Sequence, residues 1–380
     1  MQVEKKIPLI KPYITQEVKD KVCEVLESGY LTEGPVTSEL EDLFADYVGA
    51  RRAIAVTSCT TGLETALRAL GIGPGDEVIV PDYTYPATAD AVAIVGANIV
   101  IVDVCRENML IDYDKIEEAV SKRTRVLMPV SLFGNPLNYD RLNEIKKKYN
   151  LFIIEDAACS LGAEFNGTRV GNLADITVFS LHPRKFITTG EGGMITTNNS
   201  DWADWILSYK HFGMDEGRSR STTCFERIGT NYKLSNVLAA IGLVQMNHID
   251  SLMNKRARLA EHYRELLTDS LEVTFPSMTS KGVHSWQSFC VFVDDRDDIV
   301  RRLSERGIET QIGTYSLHMH RAFAKSERCK ITGEMPNSRH AFEQCLTLPM
   351  YHDMTEGEQE YVVRQLLKLK AQSSKLKAES

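Results

Sequence analysis

The sequence predicts an α/β protein with a large domain built on a mixed, mostly parallel, doubly wound sheet, followed by a smaller C-terminal α/β domain. Short β-branched runs alternate with helical patterns from Ala53 to Ser180, as in the βαβ units that form a parallel sheet. A chain of 380 residues is long enough for one large and one smaller domain. Strand and helix patterns resume after a long helical stretch that ends at Leu267.

The strands predicted for the large domain are short runs bounded by turn residues. In chain order they are Ala53–Thr57, Glu77–Pro81, Asn98–Asp103, Arg125–Val130, Leu151–Asp156, Ile176–Ser180 and Gly193–Thr197. Helical patterns between them include Leu63–Leu70 and Leu137–Tyr149. The run from Lys233 to Leu267 contains no proline and predicts one long helix that bridges the two domains.

The smaller domain is predicted from four further segments. They are a strand at Trp286–Val293, a helix at Arg296–Arg306, a strand at Ile308–Ile312 and a terminal helix at Glu356–Lys370. We place the boundary near residue 250, which gives a large domain of residues 1–250 and a small domain of residues 251–380. The polar residues at the C-terminus are expected to fray.

Composition and charge favour small-molecule ligands. The net charge of −8 argues against a broad surface for nucleic acid or anionic membranes. The N-terminal residues MQVEKKIPLIKPY have no apolar core, and the apolar runs are too short to cross a bilayer. Eight scattered cysteines without a CxxC pair predict reduced thiols. We therefore expect a cytoplasmic protein. We expect no metal site, because His318-Met319-His320 has no third ligand nearby.

Lys185 is the most informative residue of the chain. It follows the strand pattern that ends at Ser180 and precedes a cluster of glycines, which allow backbone to approach a ligand closely. The predicted strand Leu151–Asp156 ends in a carboxylate, where open α/β sheets place ligand contacts. A loop lysine and a strand-end aspartate are the pair with which pyridoxal phosphate enzymes form a Schiff base and hold the pyridinium nitrogen.

A phosphate site is predicted after the first strand. The residues Ser58-Cys59-Thr60-Thr61 open the helix Leu63–Leu70, so their amides and hydroxyls lie at a helix N-terminus, which favours anions. An ordinary helix cap is the simpler alternative. Ser180 adds a hydroxyl at the same edge, and the ring of Tyr85 follows the second strand, where it either stacks on a pyridine ring or packs in the core.

Other nucleotide and cofactor motifs are absent or incomplete. The stretch Gly71-Ile72-Gly73-Pro74-Gly75 has Asp76 where a dinucleotide loop needs its third glycine, and it precedes a strand instead of following one. The sequence contains no GxxxxGK[ST] loop. These observations leave pyridoxal phosphate as the cofactor best supported by the residues.

Several motifs together resemble the DegT/DnrJ/EryC1/StrS family of sugar aminotransferases, in order and in spacing, from about residue 8 to Met350. They are Gly29-Tyr30-Leu31-Thr32-Glu33-Gly34-Pro35, Cys59-Thr60-Thr61, Pro81-Asp82-Tyr83-Thr84-Tyr85, Phe133-Gly134, Glu155-Asp156-Ala157-Ala158, Ser180 through Gly193, Asn231-Tyr232-Lys233-Leu234-Ser235 and Leu346-Thr347-Leu348-Pro349-Met350. The resemblance implies a fold-type I pyridoxal phosphate enzyme, a homodimer whose active sites are shared between subunits.

The resemblance also implies roles for individual residues. Lys185 is the Schiff-base lysine, Asp156 the pyridinium partner and Tyr85 the aromatic residue on the ring. The expected phosphate ligands are Thr60, Thr61, Ser180 and, from the neighbouring subunit, Asn231. Cys159 lies beside the cofactor, where the family often has Gln or His. Departures at Ser131 and at Gly313-Thr314-Tyr315 fall near the expected sugar pocket, for which Tyr30, Tyr315 and His318 are candidates.

The predicted activity is transfer of an amino group, from L-glutamate, to a keto group of a nucleotide-linked deoxy-sugar, with pyridoxamine phosphate in the second half-reaction. Two alternatives are a related sugar 3-dehydratase and a non-enzymatic regulator that binds pyridoxal phosphate or a sugar. The dehydratases carry His in place of the lysine, so Lys185 argues against the first. Release of 2-oxoglutarate from glutamate distinguishes an enzyme from the second.

Overall fold

The computed structural model describes residues 6–214 and 221–379. Its helices are α1 (Gln16–Ser28), α2 (Pro35–Val48), α3 (Cys59–Ala69), α4 (Ala87–Ile94), α5 (Tyr113–Ala119), α6 (Tyr139–Tyr149), α7 (Ser200–Lys210), α8 (Asn236–Asn247), α9 (Ile249–Leu267), α10 (Arg296–Ser304), α11 (Arg321–Ala324), α12 (Pro336–Gln344) and α13 (Glu356–Glu379). Among these residues no helix is long and apolar enough to cross a membrane.

The strands are short, as expected for a twisted sheet. They are β1 (Arg52–Val56), β2 (Glu77–Pro81), β3 (Tyr83–Thr84), β4 (Asn98–Val102), β5 (Thr124–Leu127), β6 (Phe152–Asp156), β7 (Glu164–Phe165), β8 (Thr168–Arg169), β9 (Ile176–Ser180), β10 (Gly193–Thr197), β11 (Gly282–Val283), β12 (Phe289–Phe292), β13 (Gln311–Ile312), β14 (Tyr315–Ser316), β15 (Cys329–Ile331) and β16 (Cys345–Leu348).

The large sheet is mixed and mostly parallel, which confirms the predicted fold class. Within the described residues it has eight strands in the order β1-β10-β9-β6-β5-β2-β4-β15. Only β10 runs antiparallel to its two neighbours, β1 and β9. Since β10 alone is reversed, β1, β9, β6, β5, β2, β4 and β15 all end at the same edge.

Both faces of the large sheet are covered by helices, so it is doubly wound. Successive residues of a strand point to opposite faces, and in β1 Ala53 and Ala55 join one apolar cluster while Ile54 and Val56 join another. The first cluster includes buried residues of α2, α5, α6 and α8, and the second includes residues of α3, α4 and α7. Burial on both faces explains why the strands are apolar at nearly every position.

A third apolar cluster marks the smaller unit. The strands β12, β16 and β13 form an antiparallel sheet, and α9, α10 and α13 pack against it. Ile7 belongs to this cluster and pairs with Ile308, so the chain crosses between the two units near its start as well as near residue 250. The segment Cys329–Ile331 also returns to the large sheet, beside β4. The boundary at residue 250 therefore stays a prediction.

The predicted long helix from Lys233 to Leu267 is wrong as a single element. The helix α8 begins at Asn236, after Ser235, whose hydroxyl accepts a hydrogen bond from Leu238 N. It ends at Asn247, and His248 is its C-cap. His248 has φ −105° and ψ 9°, so it is not helical, and α9 begins at the next residue. The break contains neither Gly nor Pro, the usual signals of a helix end. The terminal helix, in contrast, continues beyond Lys370 to Glu379.

Candidate active site

The strand ends at one edge of the large sheet bring the predicted site residues together. In the sheet register Val56, the last residue of β1, pairs with Gly193, which in turn pairs with Ser180. One strand further, Val178 of β9 pairs with Asp156 at the end of β6. Polar groups that follow β1, β9 and β6 therefore meet along this edge, as expected for an open α/β sheet.

The N-terminus of α3 lies at this edge and contains a complete capping box. The Ser58 hydroxyl accepts a hydrogen bond from Thr61 N at 3.1 Å, and the Thr61 hydroxyl accepts one from Ser58 N at 3.1 Å. Thr61 also donates to Ser58 O at 2.9 Å. Both polar groups of Thr61 thus stabilise the helix end. The amides of Cys59 and Thr60 lie in the first turn of α3, where backbone N–H groups have no partner within the helix, and the Thr60 hydroxyl belongs to the same turn.

Gly193 lets the sheet approach this helix closely. A Cβ atom on Gly193 would lie 2.6 Å from the carbonyl carbon and oxygen of Ser58. That is well inside van der Waals contact, so a larger residue would push the helix end away from β10. Ser180, the register partner of Gly193, accepts a hydrogen bond from His182 N at 3.3 Å.

Asp156 is a buried carboxylate with acceptor capacity to spare. Its Oδ2 accepts a hydrogen bond from the Thr88 hydroxyl at 2.7 Å, and its Oδ1 accepts one from Ala158 N at 3.1 Å. Burial raises the pKa of Asp156, although the Thr88 hydroxyl and Lys185 act in the opposite direction. A carboxylate can accept about four hydrogen bonds. A cationic N–H donor would therefore fit here and would restore the charged form of the acid.

Lys185 lies in the loop of residues 181–192 between β9 and β10, which we call the Lys185 loop. Its Nζ donates to the Cys159 sulfur at 3.0 Å. Burial lowers the pKa of the Lys185 amine, but Cys159, Cys59 and Asp156 more than offset this effect, so the pKa is raised. An amine whose pKa is raised must lose a proton before it can act as a nucleophile or a base.

The cysteines beside Lys185 belong to the same cluster. The Cys59 sulfur lies 3.9 Å from Asp156 Oδ1, and burial raises the pKa of this thiol well above its ordinary value. The Lys185–Cys159 pair and the Cys59–Asp156 pair therefore lie in one small region, and Asp156 acts electrostatically on Lys185. The strand-end argument predicted this proximity for Lys185 and Asp156, and the family resemblance predicted it for Cys159.

Tyr85 and Tyr315 lie together at the same edge. The strand β3 pairs with β14, with Thr84 opposite Tyr315, and the ring centroids of Tyr85 and Tyr315 are 6.1 Å apart. Tyr85 is 64% exposed, so its ring is not part of the core. The exposed ring is free to cover a planar ligand, whereas the packing alternative for Tyr85 is wrong.

His318 and Tyr30 are placed less favourably for substrate contact. The His318 ring shares a hydrogen bond with Asp82 Oδ2 at 2.6 Å, and Asp82 Oδ1 accepts from His318 N at 2.7 Å. Asp82 is fully buried and also accepts from the Ser316 hydroxyl, so the histidine is part of a structural network that joins β2 to β14. Tyr30 is 73% exposed, and its carbonyl accepts from Asn236.

Asn231 is exposed and precedes α8 by five residues. Its Oδ1 accepts a hydrogen bond from Lys233 Nζ at 2.7 Å. The next residue, Tyr232, accepts from Thr57 N through its carbonyl at 3.1 Å, beside the α3 cap of the same chain. The backbone next to Asn231 therefore lies beside the N-terminus of α3 in the same chain, a proximity that the sequence argument did not foresee. Its predicted contact with the other subunit stays a prediction.

Sequence reasoning missed Thr88, which holds the carboxylate of Asp156. Thr88 lies in the first turn of α4, three residues after Tyr85, and is fully buried. In the sequence, Thr88 could have been found only from its position shortly after Thr84 and Tyr85, at the end of a strand that leads to the site. Within residues 6–214 and 221–379, no three His, Cys, Asp or Glu residues are grouped as a metal site requires.

These groups fit pyridoxal phosphate. A phosphate needs amide and hydroxyl donors at a helix N-terminus, as around Thr60. A pyridine nitrogen needs a buried carboxylate with a spare acceptor position, as on Asp156. The aldehyde needs an amine, and Lys185 lies in the same cluster.

Comparison with known proteins gives the same result. The DegT/DnrJ/EryC1/StrS aminotransferase family model matches residues 12–367. The UDP-4-amino-4-deoxy-L-arabinose–oxoglutarate aminotransferase of Shewanella sediminis is 34% identical over 94% of this chain and 96% of that protein. The GDP-perosamine synthase of Caulobacter vibrioides is 34% identical over 95% of this chain and 97% of that protein.

Solved structures agree with the sequence comparison. Spr1654 of Streptococcus pneumoniae in its pyridoxamine phosphate (PMP) form superposes with a TM-score of 0.92 at 27% identity, covering 98% of this chain and 100% of that one. Its pyridoxal phosphate (PLP) form gives 0.90 at 27% identity, with coverage of 97% and 99%. The chain belongs to the DegT/DnrJ/EryC1/StrS family and is a pyridoxal phosphate-dependent aminotransferase.

Proposed function

We propose that this enzyme transfers an amino group from L-glutamate to a keto group of a nucleotide-linked deoxy-sugar. The observation that carries this proposal is the cluster in which the Lys185 amine, the buried Asp156 carboxyl and the α3 N-terminus meet at one sheet edge. The relatives support the substrate class, because their names include a UDP-linked and a GDP-linked amino sugar.

The cofactor provides an electron sink for the electron pair left when a donor amine loses its Cα proton. Asp156 holds a proton at the ring nitrogen through its spare acceptor position, with Thr88 fixing Oδ2. Such a pairing would also offset the charge of Asp156, one of the groups that raise the pKa of Lys185. The Lys185 amine then loses its proton more easily and can carry the donor's Cα proton as a general base.

The phosphate is bound where the geometry leaves donors available. Thr60 supplies a hydroxyl and an amide, Cys59 an amide and Ser180 a hydroxyl. We assign Thr61 to the capping box, where it keeps the helix end in place, instead of to direct phosphate contact. Tyr85 would cover the ring, and Cys159, which lies 3.0 Å from the Lys185 amine, would lie beside it.

The active enzyme is a cytoplasmic homodimer in this proposal, with Asn231 reaching the phosphate of the partner subunit. The side chain of Asn231 is exposed in the structure of one chain, so it is available for a contact with a second subunit. The product would enter amino-sugar synthesis for surface polysaccharides such as lipopolysaccharide. Tyr315 remains the best substrate-contact candidate, because its ring lies next to that of Tyr85, whereas His318 is held by Asp82.

The test is an amino-transfer assay with purified enzyme, glutamate and a panel of nucleotide-linked 3-keto and 4-keto sugars. We expect 2-oxoglutarate and an aminated sugar to form in equal amounts with at least one panel member. Loss of the sugar's 3-hydroxyl without net transfer of nitrogen would instead indicate the dehydratase. Cofactor binding without either reaction across the panel would favour a regulatory role.

A further inference from the structure

A buried glutamine contacts the peptide groups on both sides of Lys185. The Gln287 Nε2 donates to Arg184 O at 2.9 Å, and its Oε1 accepts from Phe186 N at 3.2 Å. The first bond holds the peptide that joins residues 184 and 185, and the second holds the peptide that joins 185 and 186. Gln287 is only 5% exposed, so water does not compete for these bonds.

Arg256 of α9 fixes the backbone that carries this glutamine. Its Nε donates to Trp286 O at 2.7 Å, and its Nη2 donates to Gln287 O at 2.6 Å. Arg256 is 3% exposed, and burial lowers its pKa to about 9, with no charged partner among the described residues acting on it. A guanidinium that is buried without a carboxylate is costly. Its two backbone bonds compensate in part, and so does the ring of Phe186, whose centroid lies 5.3 Å from the guanidinium carbon.

The same segment is held from its other side by the loop after β5. Ser285 N donates to Gly134 O at 2.9 Å, and Ser288 N donates to Phe133 O at 3.3 Å. Gly134 has φ +103°, and a Cβ there would lie 2.6 Å from the Ser285 hydroxyl and 3.0 Å from Gln287 N. The position of Gln287 is therefore determined by packing on both sides, with little freedom to shift.

We infer that Gln287 is a positioning residue for Lys185, because it holds both peptide groups that flank the lysine and so limits where the amine can reach. This inference rests on the proposed role of Lys185 as the cofactor lysine. Since Gln287 precedes β12, the first strand of the small sheet, the contact also joins that sheet to the reacting amine.

A second glutamine shows that the contact with Lys185 is distinct from general support of the loop. Gln245 of α8 bonds both backbone groups of Thr188, accepting from its N and donating to its O at 2.9 Å each. The Lys185 loop is thus fixed at two separate points, by Gln287 at the lysine and by Gln245 three residues later. The amides of Phe186 and Thr188 report on these two points independently.

The test replaces Gln287 by an apolar side chain of similar length. Gln287→Met removes both bonds, and Gln359→Met is the matched control, because Gln359 is also a buried glutamine and donates to Leu259 O at 2.7 Å, in the small unit. We measure amide hydrogen exchange in the cofactor-free protein. Gln287→Met should speed exchange at Phe186 by at least about tenfold relative to the control, while Thr188 is unchanged.

A spectroscopic readout tests the effect on the lysine itself. In the cofactor-loaded protein, the visible absorbance changes with pH as the Lys185 nitrogen bonded to the cofactor loses its proton. The pH midpoint of this change should fall in Gln287→Met and not in Gln359→Met. A lysine that is held less firmly makes a weaker hydrogen bond in its protonated form, so that form is less stabilised. Unchanged exchange at Phe186, equal acceleration at Phe186 and Thr188, or an unchanged midpoint would each overturn the inference. A wild-type protein without a covalent adduct at Lys185 would refute the proposed function, and the exchange data would remain valid.

Discussion

The pH dependence of the free energy of unfolding tests whether Glu155, in strand β6 of the active site, is buried. It precedes Asp156 in β6 and is fully buried, with Oε1 accepting from the Tyr139 hydroxyl at 2.7 Å. Its Oε2 has no hydrogen-bond partner among the described residues. Burial raises the pKa of Glu155 to about 7, from an ordinary value of 4.5, against smaller opposing effects of the Ser131 and Tyr139 hydroxyls.

The sign follows from the direction of this shift. The folded state holds a proton that the unfolded state has already released, so stability falls as the pH rises from about 4.5 to about 7. One pKa unit corresponds to about 1.4 kcal/mol, so the full shift is on the order of 3 kcal/mol, most of it between about pH 5 and about pH 8. Glu155→Gln removes the titrating group and should lose this contribution to the pH dependence.

The assay is urea unfolding of wild type and Glu155→Gln at several pH values in this range. From the acid to the alkaline end of this range, the unfolding free energy of wild type should fall relative to that of Glu155→Gln by about 2–3 kcal/mol. Glu309→Gln is the control, because Lys6 and the Leu9 amide lower the pKa of Glu309, so its contribution is lost only at more acid pH. Parallel curves for wild type and Glu155→Gln would refute the reasoning.

Three further predictions concern the site. Asp156→Asn should keep the melting temperature near that of wild type but lower kcat by roughly 10³-fold or more, because a neutral amide cannot hold the ring proton; a wild-type kcat would show that another acid does so. Thr88→Val should lower kcat by about tenfold or more, because the hydrogen bond to Asp156 is lost. The control Thr177→Val removes a buried hydroxyl that has no partner among the described residues, and it should change kcat little. Equal effects of the two substitutions would contradict the role of Thr88 in holding Asp156. In a mixed dimer of a Lys185→Ala chain with an Asn231→Ala chain, about half of the wild-type activity should remain if Asn231 serves the partner's site, because one site then has both defects and the other has neither. If the mixed dimer shows only half of the activity of the Asn231→Ala enzyme, Asn231 serves its own subunit.

The strands around the site could be predicted because burial on both faces is visible in the sequence. Ile176–Ser180 and Gly193–Thr197 were predicted with the bounds that the structure has. The strand ends then located Lys185 and Asp156, since parallel strands place their carboxyl ends at one edge.

Features that depend on contacts between distant segments could not be predicted in this way. The strand Cys329–Ile331 joins the large sheet, and Cys345–Leu348 is the central strand of the small one, yet neither pairing is encoded near its own residues. The helix break at His248 has no Gly or Pro to signal it. Gln287 is more than 100 residues from Lys185 in the chain, so only the fold shows that its amide holds the lysine.

The cofactor role of Lys185 is tested most directly by borohydride reduction of the cofactor-loaded enzyme, followed by mass spectrometric mapping of the modified lysine. We predict one reduced cofactor adduct per chain, on the peptide that contains Lys185, because its amine contacts Cys159 and is influenced by the charge of Asp156. An adduct on a different lysine, or none in a protein that retains the cofactor, would contradict this assignment.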